Sequence, residues 1–203
     1  MLPHDWLEFL SDQFANIDAL QWAILILGVA EVLLAKANNI LLYPAGIVAT
    51  VLASYSLFTA QLYAECVLHF YYLMMSIYGW WHWTKKRNAD VVVVTFASKN
   101  EWMISLGIIF GGWALLYFAL AAFTPSTVPV WDSWVSATAW AGTWLLARRR
   151  VENWLLLNLS NAFAIPLLFY KQLPLLAILT FILFVVACFG YFDWKGIAKA
   201  NVP

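Results

Sequence analysis

The sequence is poor in charge, in cysteine and in histidine. Of its 203 residues, 11% are charged, two are cysteine and three are histidine. A soluble domain carries about a quarter of its residues as charges, so this chain has too little polar surface to cover a water-soluble core. His4, His69 and His82 are too scattered along the chain for a metal site. No serine or cysteine stands with a recognisable base, and no glycine-rich phosphate loop is present. These absences argue against an enzyme and against an ATP-driven machine, and no cofactor or metal is expected.

Cys66 and Cys188 each fall inside an apolar run, where a disulfide would require two helices to approach closely at one point. Both read as small core residues. The N-terminal stretch holds Asp5, Glu8, Asp12 and Asp18 but no basic residue, unlike the start of a secretory signal. With Trp6, Leu7, Phe9, Leu10 and Phe14 as its apolar content, residues 1–18 read as a short amphipathic helix on a membrane surface.

Apolar residues, by contrast, make up 64% of the chain. A transmembrane helix takes roughly 17–25 mostly apolar residues. Seven such segments fit between the charged clusters, at 19–37, 40–58, 62–83, 102–123, 131–147, 154–170 and 173–191. The expected fold class is therefore an all-α membrane protein of seven transmembrane helices. When the connections are assigned alternately to two sides, Lys36, Lys85, Lys86, Arg87, Lys99, Arg148, Arg149, Arg150, Lys195 and Lys199 share one side and Lys171 alone the other. Basic residues are retained on the cytoplasmic face, so the N-terminus is expected outside and the C-terminus in the cytoplasm.

The chain also repeats itself. "LLAK" at 33–36 returns as "LLAR" at 145–148, "LFTAQL" at 57–62 as "LFYKQL" at 168–173, and "GWWHW" at 79–83 as "GYFDW" at 190–194. The offset is 112 in the first case and 111 in the other two. A near-constant offset predicts two three-helix copies, 19–83 and 131–194, joined by a loop and linker helix at 84–123 and followed by a tail at 195–203. An odd number of helices reverses the second copy, and the inserted helix restores its direction. The predicted architecture is 3+1+3 with parallel repeats, a plan that places a transported molecule near the midplane between the halves.

Polar residues inside spans mark cavities or partners, because an ionisable group in lipid is costly. At about 100° per residue, Glu65, His69, Tyr72, Ser76 and Trp83 share one face of the third span. Cys66, Val67, Phe70, Leu73, Met74 and Ile77 take the opposite face. A milder stripe in the second span runs Asn39, Tyr43, Thr50, Ser54 and Gln61, with Pro44 and Gly46 where a bend is expected. The fifth span shows Ser133, Ser136, Trp140 and Trp144, and the sixth Asn158 and Asn161. Such residues also join membrane helices by hydrogen bonds. Trp6, Trp83, Trp102, Trp131 and Trp194 stand near span ends and read as interfacial anchors. Glu31 reads as a group that reaches water or pairs within the first helix. At offset 111, Glu65, His69 and Ser76 correspond to Leu176, Thr180 and Ala187, so the polar chemistry of the third span has no copy.

Three stretches carry a family resemblance: "LLYPAGIVATVLASYSLFTAQLYAE" (41–65), "YYLMMSIYGWWHW" (71–83) and "RRRVENWLLLNLSNAFAIPLLFYKQLPLLAILT" (148–180). Across residues 20–195 the chain resembles the Pnu family of bacterial vitamin-precursor transporters, of PnuC type. The resemblance implies a fold similar to that of the SWEET sugar carriers, location in the inner (cytoplasmic) membrane, and uptake by facilitated diffusion with trapping by cytoplasmic phosphorylation. It implies a small vitamin as partner, with nicotinamide riboside first, thiamine as the alternative and riboflavin further off. It also leaves open a homotrimer.

A pyridinium ring calls for stacking, a carboxamide for amide partners and ribose for donors and acceptors. On that chemistry the candidate substrate-binding residues are Trp140 and Trp144 for stacking, and Asn158, Asn161, Gln61 and Tyr72 for hydrogen bonds. His69, Glu65, Tyr43 and Ser76 line the same path, with Glu65 available to the charge of thiamine. A proton-coupled carrier using His69 and Glu65, and a receptor without flux, are the competing classes. Pro44 and Pro166 are the candidate hinges.

Overall fold

The structure, a computed structural model, describes residues 18–59, 63–85, 93–124, 126–171 and 173–200, and of residues 63–68 and 175 the backbone alone. The expected N-terminal surface helix, Gln61, and the side chains of Glu65 and Cys66 lie outside the described residues. Seven helices follow in order: α1 Ala19–Lys36, α2 Leu42–Thr59, α3 Tyr63–Thr84, α4 Lys99–Phe123, α5 Pro129–Ala147, α6 Asn153–Tyr170 and α7 Pro174–Ala200.

Local chemistry sets several of these ends. The Asp18 carboxylate accepts from the Gln21 backbone N–H (2.7 Å) and the Gln21 side chain accepts from Asp18, a capping box that opens α1. Ser98 and Glu101 open α4 in the same way. Pro129 starts α5, where a missing N–H costs nothing. After α1 and after α5 the chain turns through a non-glycine residue in the left-handed region, Asn38 (φ 53°) and Arg149 (φ 60°).

The chain packs as consecutive neighbours. Helices α1, α2 and α3 lie against one another in sequence, as do α5, α6 and α7. The two groups meet along α3 on α5 and α1 on α7, while α4 lies on α5 and barely touches α3. Element boundaries recur: Leu42, Thr59 and Tyr63 bound α2 and α3, and Asn153, Tyr170 and Pro174, each 111 residues on, bound α6 and α7.

Burial is the reverse of a soluble protein. Ser105, Ser133, Thr138 and Asn153 are fully buried, whereas Phe118 (69% exposed), Phe123 (81%) and Phe192 (66%) stand on the outer surface. Such an exterior is stable only against hydrocarbon. Helices α1, α2 and α4 and the stretch Leu176–Ala200 are long and apolar enough to span by composition alone. The polar residues of α3, α5 and α6 dilute their apolar content.

Three expectations change. Helix α7 continues through much of the predicted tail, with Ala198 fully buried among its neighbours. Pro44 is the third residue of α2, in the first turn, so it breaks no helical hydrogen bond and marks no bend. Pro166 does stand inside α6. Trp83 (4% exposed) and Trp194 (0%) are core residues, not interfacial anchors, while Trp131 stays half exposed beside Phe163.

Candidate functional site

Between the two groups of helices lies a cavity of about 340 Å³. It falls within the range of roughly 300–1,000 Å³ typical of small-molecule sites. Five pairs of its lining residues stand 111 apart: Val32 and Thr143, Ala35 and Leu146, Thr50 and Asn161, Tyr72 and Leu183, Ser76 and Ala187. The lining therefore draws the same helix positions from both groups. Its polar content does not follow that pairing. Glu31, Thr50, His69, Tyr72 and Ser76 come from the first group, Thr143, Trp154 and Asn161 from the second, and no Lys or Arg lines the space.

A packed aromatic layer closes one end. Trp83 and Trp194, 111 apart, meet at 6.0 Å, and Tyr43 sets its edge on Trp83 at 5.1 Å. Trp154 meets Trp194 edge-on at 5.7 Å and is part of the cavity wall. Two glycines admit these rings: a methyl at Gly190 would lie 2.8 Å from the Trp154 ring, and one at Gly79 would collide with Tyr43. Trp194 Nε1 donates to the carbonyls of Ala35 (3.0 Å) and Lys36 (3.3 Å) at the end of α1. Arg149 donates from Nε to Asn38 Oδ1 (2.9 Å) and lays its guanidinium over Trp83 at 4.1 Å. The two left-handed residues, 111 apart, are thus bonded to each other.

The stretch "RRRVEN" holds this end together. Arg148 (3.2 Å) and Arg150 (2.9 Å) both reach the buried Glu101 carboxylate at the start of α4. The Arg148 guanidinium also donates to Tyr78 on α3 (3.3 Å). Glu152 accepts from the Ala97 backbone N–H (2.8 Å), and Asn153 donates to the Arg150 carbonyl (2.6 Å). The opposite end is tied by Lys171 to Asp132 (2.6 Å), which also accepts from Ser126 (2.6 Å).

The residues singled out in the sequence divide in three. His69, Tyr72, Ser76 and Asn161 line the cavity. Phe70, Met74 and Ile77 on the far side of α3 face outward, each more than half exposed. Of the face drawn from periodicity, His69, Tyr72 and Ser76 meet the cavity while Trp83 lies in the aromatic layer. Trp140, Trp144, Asn158 and Tyr43 stand outside the lining. Trp140 stacks on Tyr71 (4.5 Å, 23°), whose hydroxyl donates to the Trp140 carbonyl (2.9 Å). Trp144 packs with the cluster formed by Ile109, Ala141, Leu145 and Leu156. Asn158 donates to Cys188 Sγ (3.4 Å), and its buried Oδ1 has no partner among the described residues. Tyr43 belongs to the aromatic floor. Glu65 and Gln61 cannot be placed, since Gln61 and the Glu65 side chain lie outside the described residues.

Sequence reasoning passed over Thr143, Trp154 and Glu31 as wall residues. Helix α5 presents Thr143 to the cavity because α3 and α4 take up Trp140 and Trp144. Trp154 was legible only as part of a family motif. Glu31, a lone carboxylate in an apolar run, was the available signal.

Known proteins fit this frame. The nicotinamide riboside transporter PnuC of Escherichia coli (strain K12) is 22% identical over 200 residues, covering 86% of this chain and 84% of the relative. The protein of the same description from Shigella flexneri matches to the same extent. The crystal structure of the vitamin B3 transporter PnuC superposes with a TM-score of 0.72 at 22% identity, over 97% of this chain and 91% of that one. The sequence profile of the nicotinamide mononucleotide transporter family matches residues 18–196. The chain belongs to that family, the PnuC-type Pnu transporters, and is a membrane transporter rather than an enzyme.

Proposed function

We propose that the protein is a uniporter of the bacterial inner membrane that imports nicotinamide riboside, which is then held in the cell by phosphorylation. The observation that carries this reading is the composition of the cavity wall. It offers Asn161, Thr50, Tyr72, Ser76 and Thr143 to a carboxamide and a ribose, an indole at Trp154, and a single carboxylate at Glu31. A phosphate would meet no Lys or Arg there. The riboside therefore suits the space better than the nucleotide for which the family is described.

The 111-residue recurrence of helix ends and wall positions supports a 3+1+3 scaffold of two parallel three-helix repeats with α4 as linker. The carrier then works by rocking the halves about the cavity, and the aromatic floor must part for release. Pro166 remains a candidate hinge. The basic ends of α1, α3, α5 and α7 support a cytoplasmic placement of the floor, which puts the N-terminus outside.

Titration of the purified protein, read by its 13 tryptophans, tests the substrate. Nicotinamide riboside is expected to change the emission at about tenfold lower concentration than thiamine. The reverse order would assign the protein to thiamine, and no response to either would overturn the reading.

A further inference from the structure

The cavity contains one feature that its scaffold does not need. Glu31 on α1 points into it, and its carboxylate rests against the backbone of α2 at Gly46, where an added methyl would collide with it. In the second group the residues 111 further on are Gly142 on α5 and Leu157 on α6. There the contact is made with large and small exchanged: a methyl at Gly142 would lie 2.9 Å from the Leu157 side chain. Packing at this crossing is thus accomplished with a leucine over a glycine. The carboxylate in the first group is a chemical addition to the same steric solution.

No hydrogen bond or ion pair to Glu31 occurs among the described residues, and neither Lys nor Arg reaches the lining. His69 and Tyr72 are the other titratable groups of the wall, and their rings meet edge-on at 5.9 Å. A carboxylate at membrane depth without a counter-charge is costly. A cation seated in the cavity removes that cost, and the walls hold field strength that water would otherwise screen.

We infer that Glu31 is the charge-selecting residue of the cavity, pairing with a positively charged aromatic ring and so setting a preference for monocationic, non-phosphorylated vitamins. This rests on the proposed transport function and adds a residue to it. The electrostatic contact is non-covalent and needs no fixed position of the ring beyond proximity to the α1–α2 crossing.

The test compares nicotinamide riboside with its neutral 1,4-dihydro form, which keeps the carboxamide and ribose but loses the ring charge. Calorimetric titration of the wild-type protein is expected to favour the cation by about tenfold or more. Glu31→Gln should abolish that preference while the affinity for the dihydro form stays the same. Glu31→Leu repeats the contact already made by Leu157, so it is expected to fold and to lose the preference as well. An equal cation preference in wild type and Glu31→Gln, or an equal loss of both ligands, overturns the inference and leaves the transport reading standing. Wild-type protein that binds neither nicotinamide riboside nor thiamine overturns both.

Discussion

At the scale of single residues, the site depends on where a side chain is missing as much as on where one is present. Gly79 lets the Tyr43 ring lie on α3, and Gly190 does the same for Trp154 on α7. Both rings belong to one buried layer that also contains Trp83 and Trp194, and a rigid aromatic cannot yield as a flexible chain end can. Gly79→Ala is therefore expected to cost about 1–3 kcal/mol, seen as a lower melting temperature of the detergent-solubilised protein. An unchanged melting temperature would mean that the Tyr43 ring has room to move. Single residues were also the hardest to read in the sequence. A tryptophan near a span end looks the same whether it faces lipid headgroups or another helix, so Trp83 and Trp194 read as anchors. A lone charge such as Glu31 carries no periodicity, so counting residues around a helix could not say what it faced.

At the scale of elements, the helices were legible to within a few residues, apart from the end of α7 at Ala200, because charge clusters and prolines punctuate an otherwise apolar chain. Helix α2 was expected at 40–58 and is Leu42–Thr59, and α6 was expected at 154–170 and is Asn153–Tyr170. The polar face of α3 was legible too, since it has one cavity on one side and open surface on the other. Helix α5 defeats the same method. It has α3, α4 and α6 as neighbours, so its Ser and Trp stripe serves several contacts at once and Thr143 is left for the cavity. The segment between α5 and α6 is the clearest case of a motif whose purpose only the fold reveals. Arg148, Arg150 and Glu152 tie α5 to the start of α4 and the strand of chain before it. Glu101→Gln leaves two guanidiniums without their shared carboxylate. Both arginines are partly exposed, so the expected loss is about 1–2 kcal/mol rather than that of a fully buried pair. A fall of a few degrees in melting temperature with substrate affinity unaltered would match, and a loss of affinity at full stability would place this cluster in the transport path instead.

At the scale of the whole molecule, two three-helix groups enclose a cavity whose wall positions recur at a spacing of 111 and whose polar groups do not. Symmetric positions suit a body that must open towards either side at similar cost. Asymmetric chemistry suits a ligand that is itself polar at one end and aromatic at the other. At the basic end the two groups are joined by Arg149 over Trp83 and by Arg148 donating to Tyr78. The described chain devotes no separate domain to energy supply, and the proposed cycle needs only a concentration difference.

Uptake of labelled nicotinamide riboside into liposomes holding the purified protein, with no nucleotide and no ion gradient, tests this most directly. The account predicts that the label enters faster than in empty liposomes, levels off at the outside concentration, and is unaffected when a proton gradient is imposed and then abolished. Entry no faster than in empty liposomes, or accumulation that collapses with the proton gradient, would contradict it.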